Sequence, residues 1–210
     1  MAPVQARKAV PWKRIMDVVL AGGALLVLAP LISCLAMLIM ADSRGPVFYG
    51  QRRIGRLGVP FTLWKFRSMY QGSSEAIHHQ AVLDWFGGRP IGERYKTEND
   101  PRITRLGKYM RRTSLDELPQ LFNVLKGQMS LVGPRPMTMD ERIWYEDAYF
   151  ERESVMPGLT GLWQISGRDR LSAQQMIELD VNYVRKCSLV LDLKILARTI
   201  PSVIADARRS

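Results

Sequence analysis

From Val18 to Ala41 the chain runs for 24 residues without a formal charge, and no other stretch restricts the fold as much. As one helix this run would measure roughly 36 Å, enough to cross a hydrocarbon core of about 30 Å. Two features argue against a plain span. Pro30 falls at the midpoint, where it removes a helical hydrogen bond and invites a bend, and Gly22 and Gly23 soften the first arm. Both flanks are also basic: Arg7, Lys8, Lys13 and Arg14 precede the run, and Arg44, Arg52, Arg53 and Arg56 follow it. A spanning helix calls for asymmetric positive charge, which is missing. A hairpin that dips in and returns keeps both flanks on the cytoplasmic side, with arms of roughly 18 Å, about one leaflet deep. The re-entrant form is favoured over the span. A buried soluble helix is the weaker third reading, since such helices seldom need so long an uncharged run. Residues 1–14 are then a basic tail, 15–43 a membrane hairpin bent near Pro30, and 44–210 a cytoplasmic domain.

The formal charge of +10 calls for an acidic partner: nucleic acid, an anionic membrane face or a phosphorylated substrate. Cations spread along the chain and the lack of a binding motif speak against nucleic acid. Cys34 and Cys187 have no metal-ligand spacing, and a disulfide framework is not expected. The apolar run starts too late and is too long for the core of a cleavable signal peptide.

Chemistry concentrates in Arg111-Arg-Thr-Ser-Leu-Asp-Glu-Leu-Pro-Gln-Leu-Phe-Asn123. Ser114-x-x-Glu117 reads as a capping box; alternatively Asp116 is the N-cap, with Pro119 in the first turn. Either way Asp116 and Glu117 lie at the positive end of a helix, where carboxylates stay charged and amides can receive a phosphate. Such a carboxylate serves as a nucleophile towards phosphorus or as a ligand for Mg2+. The plain alternative is an ordinary helix cap.

Around this stretch, Gly45–Gln51 and Pro60–Arg67 read as a β-hairpin punctuated by Gly55 and Gly58. Period-2 spacing puts Phe61, Leu63, Lys65 and Arg67 on one face, so Lys65 and Arg67 form either a solvated edge or a paired anion site. Residues 71–96, with adjacent His78 and His79, read as a variable insertion with a short helix near 76–86 and no zinc site. Residues 102–112 make a basic helix. Arg135 is held between Pro134 and Pro136, where a pre-set guanidinium suits phosphate, or is simply an exposed loop arginine. Residues 137–152 read as helical, and 157–168 as a glycine-punctuated turn and short strand ending at Arg168. Ser172 caps a helix to about Lys186. In the last helix Leu189, Leu193, Leu196, Ile200 and Val203 form one stripe, which either packs on the core or lies in a membrane interface. No Walker, GxSxG, HExxH or dinucleotide-binding pattern competes. The fold class is α+β, a membrane hairpin joined to a small domain with a β-hairpin and several amphipathic, partly interfacial helices.

These stretches together carry a resemblance. Lys13-Arg-Ile-Met-Asp17, Gly45-Pro-Val-Phe-Tyr-Gly-Gln-Arg52, Lys65-Phe-Arg-Ser-Met69, Asp100-Pro-Arg-Ile-Thr104, Ser114-Leu-Asp-Glu-Leu-Pro-Gln-Leu121, Met129-Ser-Leu-Val-Gly-Pro-Arg-Pro136, Pro157-Gly-Leu-Thr-Gly161 and Ser166-Gly-Arg168 follow in order. The chain resembles bacterial sugar transferases of the monotopic polyprenyl-phosphate phosphoglycosyl transferase family, in their small form without extra membrane helices. Its ending and Trp163-Gln-Ile-Ser-Gly-Arg168 are similar to exopolysaccharide-initiating members that transfer hexose-1-phosphate. The resemblance implies Asp116 as nucleophile towards a UDP-sugar, release of UMP, and passage of the phosphosugar to polyprenyl (undecaprenyl) phosphate. It implies Asp116 and Glu117 as holders of Mg2+, and Lys65, Arg111, Arg135 and Arg168, with Arg67 less directly, as phosphate contacts. It further implies a bacterial inner-membrane location with the catalytic domain on the cytoplasmic face, contact with membrane lipid, and no nucleic acid. A homodimer is compatible with it. A membrane-anchored scaffold, with the carboxylates only capping a helix, is the rival reading.

Overall fold

A computed structural model describes residues 11–72, 80, 100–142 and 151–209. His78, His79, the expected helix near 76–86 and the middle of the expected 137–152 helix lie outside these residues.

The apolar run forms helix α1, Pro11–Asp42, which continues through Pro30 without a break in its helical assignment. A proline inside a helix removes one hydrogen bond and can be absorbed as a kink. The helix-break-helix of the sequence reading is thus replaced by one element. Only 11% of its most apolar window is buried, which sets aside the core-helix reading. What is buried forms one stripe: Asp17 and Ala21, then Leu35 and Ile39. Ala21 joins the main core with Leu121, Val132 and Ile195, while Leu35 and Ile39 pack with Phe66 and Met110. Between these contacts Leu26 and Val27 are 81% and 78% exposed. Both ends of α1 therefore dock on the same domain, with Ala24, Leu25 and Ile32 packed between them, while the opposite side, with Leu26 and Val27, is uncovered.

Charged side chains fix the docking. Lys13 Nζ donates to Val132 O (2.9 Å) and pairs with the buried Asp192 at 2.5 Å. Arg14 donates to Val124 O (2.6 Å) and Leu125 O (2.7 Å). Asp17 accepts from Leu131 N (2.8 Å) and Ser130 Oγ (3.0 Å). At the far end Arg67 donates to Ile39 O (3.2 Å) and Ser43 O (2.5 Å). Lys13 and Arg14 thus belong to α1 and not to a basic tail. Arg53 is buried, and Arg56 donates to Ser154 O (3.3 Å). Four of the flanking cations counted from the sequence, Lys13, Arg14, Arg53 and Arg56, are thus engaged with other parts of the protein.

The β-hairpin forms as expected, with its first strand three residues further along. β1 (Phe48–Ile54) pairs antiparallel with β2 (Pro60–Phe66), with Phe48 opposite Phe66. Phe61 and Leu63 face the core by the strand's period of two. Helix α2 (Arg105–Thr113) starts at Thr104, whose Oγ1 accepts from Gly107 N at 2.9 Å. A Cβ at Gly107 would stand 2.0 Å from Ser68 O, so only glycine lets α2 lie this close to the end of β2.

After α2 come a single 3-10 turn over Leu115–Glu117 and helix α3, Gln120–Leu125. Beyond it, β3 (Ser130–Val132) and β4 (Gly158–Thr160) pair in parallel, Ser130 opposite Gly158. A Cβ at Gly158 would lie 2.1 Å from Gly133 N, which explains the glycines in both stretches. Helix α4 (Met139–Arg142) carries its own capping box: Thr138 N donates to Glu141 Oε2 (2.7 Å), and Glu141 N to Thr138 Oγ1 (3.2 Å). Helix α5 (Leu162–Ile165) contributes Trp163 to a second cluster with Met137, Met176 and Ile177. Helix α6 (Ala173–Lys186) begins with the Ser172–Gln175 capping box, confirming Ser172 as its cap.

Helix α7 (Leu189–Arg209) turns most of its expected stripe outward. Leu189, Leu193 and Ile200 are exposed, but Leu196 of the same stripe packs against the core and Val203 is half-buried, and the inner face carries Asp192 and Ile195, both fully buried. Asp192 is compatible with that face because Lys13 and the Tyr183 hydroxyl (2.7 Å) bind its carboxylate.

Candidate active site

The carboxylate pair sits at the junction of α2, β2 and α3, and its local conformation differs from the capping box read from sequence. Ser114 is the C-cap of α2 in the left-handed conformation, φ 58° and ψ 18°, and its hydroxyl makes no capping bond to the turn. The physical reason is tertiary: Ser114 Oγ accepts instead from Arg168 Nη2 at 3.2 Å. Its carbonyl accepts from Glu117 N (3.2 Å), which closes the 3-10 turn carrying Asp116 and Glu117. Asp116 is nearly buried, at 8% exposure. Asp116 is not the N-cap either, because Pro119 takes that place before α3.

Strand β2 delivers Lys65, whose Nζ lies 3.2 Å from Glu117 Oε1. The register of β2 against the turn is set by Asn123, a residue that sequence reasoning did not single out. Fully buried, it accepts from Trp64 N (3.1 Å) and donates to Thr62 O (2.7 Å), taking the place of a neighbouring strand. Only the burial of this side chain beside the open edge of β2 reveals it; nothing in the local sequence does.

Arg111 lies in the last turn of α2, five residues before Asp116. Across from it Asp100 is chelated by Arg102, with Nη2 to Oδ2 at 2.6 Å and Nε to Oδ1 at 2.9 Å. The Arg102 hydrogen bond, seconded by the Arg102 and Arg111 charges, outweighs burial and holds the Asp100 carboxyl below its ordinary value. The site thus gathers Asp116, Glu117, Lys65, Ser114 and Arg168, with Arg111 at its rim.

Two expected phosphate contacts have other tasks here. Arg67 is buried against the last carbonyls of α1, where a cation also suits the negative helix end. Arg135 donates to Glu141 Oε1 at 3.1 Å, and Arg53 approaches the other oxygen at 3.4 Å. Burial works against the charge on Glu141, but Arg135 and Arg53 hold its pKa down at about 2. Arg152, in turn, pairs with the buried Asp180. The proline-flanked turn is therefore stiffened by an internal ionic network that includes Arg135 itself.

No group of three His, Cys, Asp or Glu side chains placed to hold a metal ion occurs among the described residues. The donor set at the turn is two adjacent carboxylates. Mg2+ is commonly held by one or two carboxylates with substrate phosphates supplying further oxygens, so Asp116 and Glu117 fit a metal that arrives with a diphosphate.

A family model described as bacterial sugar transferase matches residues 8–206. The exopolysaccharide production protein ExoY of Rhizobium meliloti (strain 1021) is 43% identical over 197 residues, covering 91% of this chain and 84% of that protein. The undecaprenyl-phosphate galactose phosphotransferase of Salmonella typhimurium is 42% identical over 192 residues, covering 91% of this chain and 40% of that protein. The UDP-glucose:undecaprenyl-phosphate glucose-1-phosphate transferase of Escherichia coli K12 is 40% identical over 196 residues, covering 90% of this chain and 39% of that protein. The chain thus spans most of the first relative and about two fifths of the other two.

Proposed function

The chain belongs to the bacterial sugar transferase family, and from that premise we propose that it moves a hexose-1-phosphate from a UDP-sugar to undecaprenyl phosphate. The observation that carries this reading is the turn that holds Asp116 and Glu117 between Lys65 and the Arg168–Ser114 contact. An oxygen of the Asp116 carboxylate attacks the β-phosphorus of the donor. As the Asp–O–P bond forms, the bond to the bridging oxygen breaks and UMP leaves with the electron pair. A phosphate oxygen of the lipid then attacks the same phosphorus, displaces the carboxylate and yields a polyprenyl diphosphate sugar.

Two anions must approach one another for each step, so nearby positive charge lowers the barrier. Lys65 and Arg111 supply part of it, with Lys65 free to turn from Glu117 to a phosphate oxygen. Mg2+, held by Asp116 and Glu117, would add charge neutralisation on the diphosphate. Glu117 orients the reacting groups beside Asp116.

The docking of α1 supports a re-entrant membrane arrangement. Both of its ends bind the same domain, while Leu26 and Val27 at its middle stay uncovered. Kinked at Pro30, a helix tied in this way dips into one leaflet and returns, with the catalytic domain on the cytoplasmic face of the inner membrane. The outer face of α7, with Leu189, Leu193 and Ile200, lies in the interface, where Lys194 and Arg198 meet anionic headgroups.

The deciding experiment measures nucleotide release from UDP-glucose and UDP-galactose in the presence of undecaprenyl phosphate and Mg2+. UMP release by the wild type, lowered at least about a thousandfold in a folded Asp116→Asn variant, is the expected result. UDP release would overturn the mechanism, and no release from any UDP-sugar by folded protein would favour the scaffold.

A further inference from the structure

Three non-glycine residues among those described have positive φ: Leu57, Ser114 and Arg168. Two of them are joined by a hydrogen bond, Arg168 Nη2 to Ser114 Oγ at 3.2 Å. Left-handed backbone is unfavourable for L-residues other than glycine, asparagine and aspartate, so a serine there is held by its surroundings. Ser114 is also the hinge of the site. Its N–H donates to Arg111 O (3.4 Å), ending α2, and its carbonyl accepts from Glu117 N (3.2 Å), opening the carboxylate turn. Were Ser114 right-handed, α2 could continue, and each added helical residue would sweep Asp116 and Glu117 about 100° around the helix axis.

We propose that Arg168 is a positioning residue: its bond to the Ser114 hydroxyl holds Ser114 left-handed and so fixes where Asp116 and Glu117 point. Arg168 suits this task because its own segment is braced. Arg170 N donates to Gly167 O (3.2 Å) and Leu171 N to Arg168 O (3.1 Å), forming a single 3-10 turn after Gly167. The assignment rests on the reading that Asp116 and Glu117 carry the chemistry. It differs from direct phosphate contact in one testable respect. Glycine at position 114 is left-handed at no steric cost and does not need the arginine.

The test uses the full chain with its lipid and compares Arg168→Ala, Ser114→Ala and the double variant Ser114→Gly/Arg168→Ala. Arg168→Ala is expected to lower kcat for UMP release by about tenfold or more, as small misplacements of reacting groups do, with KM for the UDP-sugar within about twofold. Amides 114–117 should exchange hydrogen faster. Ser114→Ala should reproduce both effects. The double variant should recover most of the lost kcat and the slow exchange. A raised KM with unchanged exchange at 114–117, or failure of glycine to restore kcat, overturns the proposal in favour of direct substrate contact. If Arg168→Ala does not fold, Ser114→Ala breaks the same bond from its other end and decides by exchange. If the wild type releases no UMP, the functional reading fails, and the exchange measurements still decide the positioning role.

Discussion

Lys65 Nζ stands 3.2 Å from Glu117 Oε1, joining the second strand of the hairpin to the carboxylate turn. The side chains are 25% and 34% exposed, so water screens the pair and its share of stability is below about 1 kcal/mol. The contact holds a cation beside two carboxylates while adding little to the fold.

Lys65→Met should therefore separate activity from stability. UMP release is expected to fall about tenfold or more, while the melting temperature moves by less than about 5 °C. Thermal melts beside a nucleotide-release assay check this, and a collapse of the melt with activity retained would make Lys65 structural.

Acid should weaken the Arg53–Glu141–Arg135 network in a defined window. Glu141 has a folded pKa of about 2 against 4.5 for an unperturbed glutamate. A depressed carboxyl pKa adds stability that is fully present above the unfolded value and lost as pH falls through the folded one. The stability gap between wild type and Glu141→Gln should be constant above about pH 5 and shrink steadily towards pH 3. Denaturation midpoints measured across that range decide it; a gap that grows on acidification would contradict the assignment.

Gly107→Ala places a methyl 2.0 Å from a backbone oxygen of Ser68, where no flexible side chain can yield. Helix α2 must shift and carry Arg111 and Ser114 with it. The expected cost is about 1–3 kcal/mol, together with a loss of activity larger than the loss of folded protein. A melt unchanged to within about 1 °C would show that α2 has more room than the geometry gives it.

Topology can be read by thiol labelling in a chain whose Cys34 and Cys187 are replaced by serine. A cysteine placed ahead of Pro11 and another placed after Arg209 should both react with an impermeant reagent only from the cytoplasmic side. Labelling of the first from the periplasm would mean that α1 spans the membrane.

The elements most legible in sequence were those whose signals are local. The hairpin followed from alternation and glycine punctuation, and α6 from Ser172 and Gln175, which cap it as a reciprocal pair. Ser114-x-x-Glu117 has the same form yet no such cap, because Arg168 lies 54 residues away in sequence and local spacing cannot reveal it. Lys13 and Asp17 illustrate the same limit. Lys13 reads as part of a basic flank and Asp17 carries no reading of its own, but their partners are Asp192 and the first residues of β3. Strands β3 and β4, three residues each, are too short for any periodicity to show. The outward stripe of α7 has the spacing of a core face, and only the burial of Asp192 and Ile195 shows which side is inner.

Because Lys13, Asp17 and Ala21 complete the interior of the domain, the membrane helix is no detachable anchor. A chain begun at residue 44 would leave Leu131 N–H and the carboxylate of Asp192 without these partners and open the core beside Val132 and Ile195.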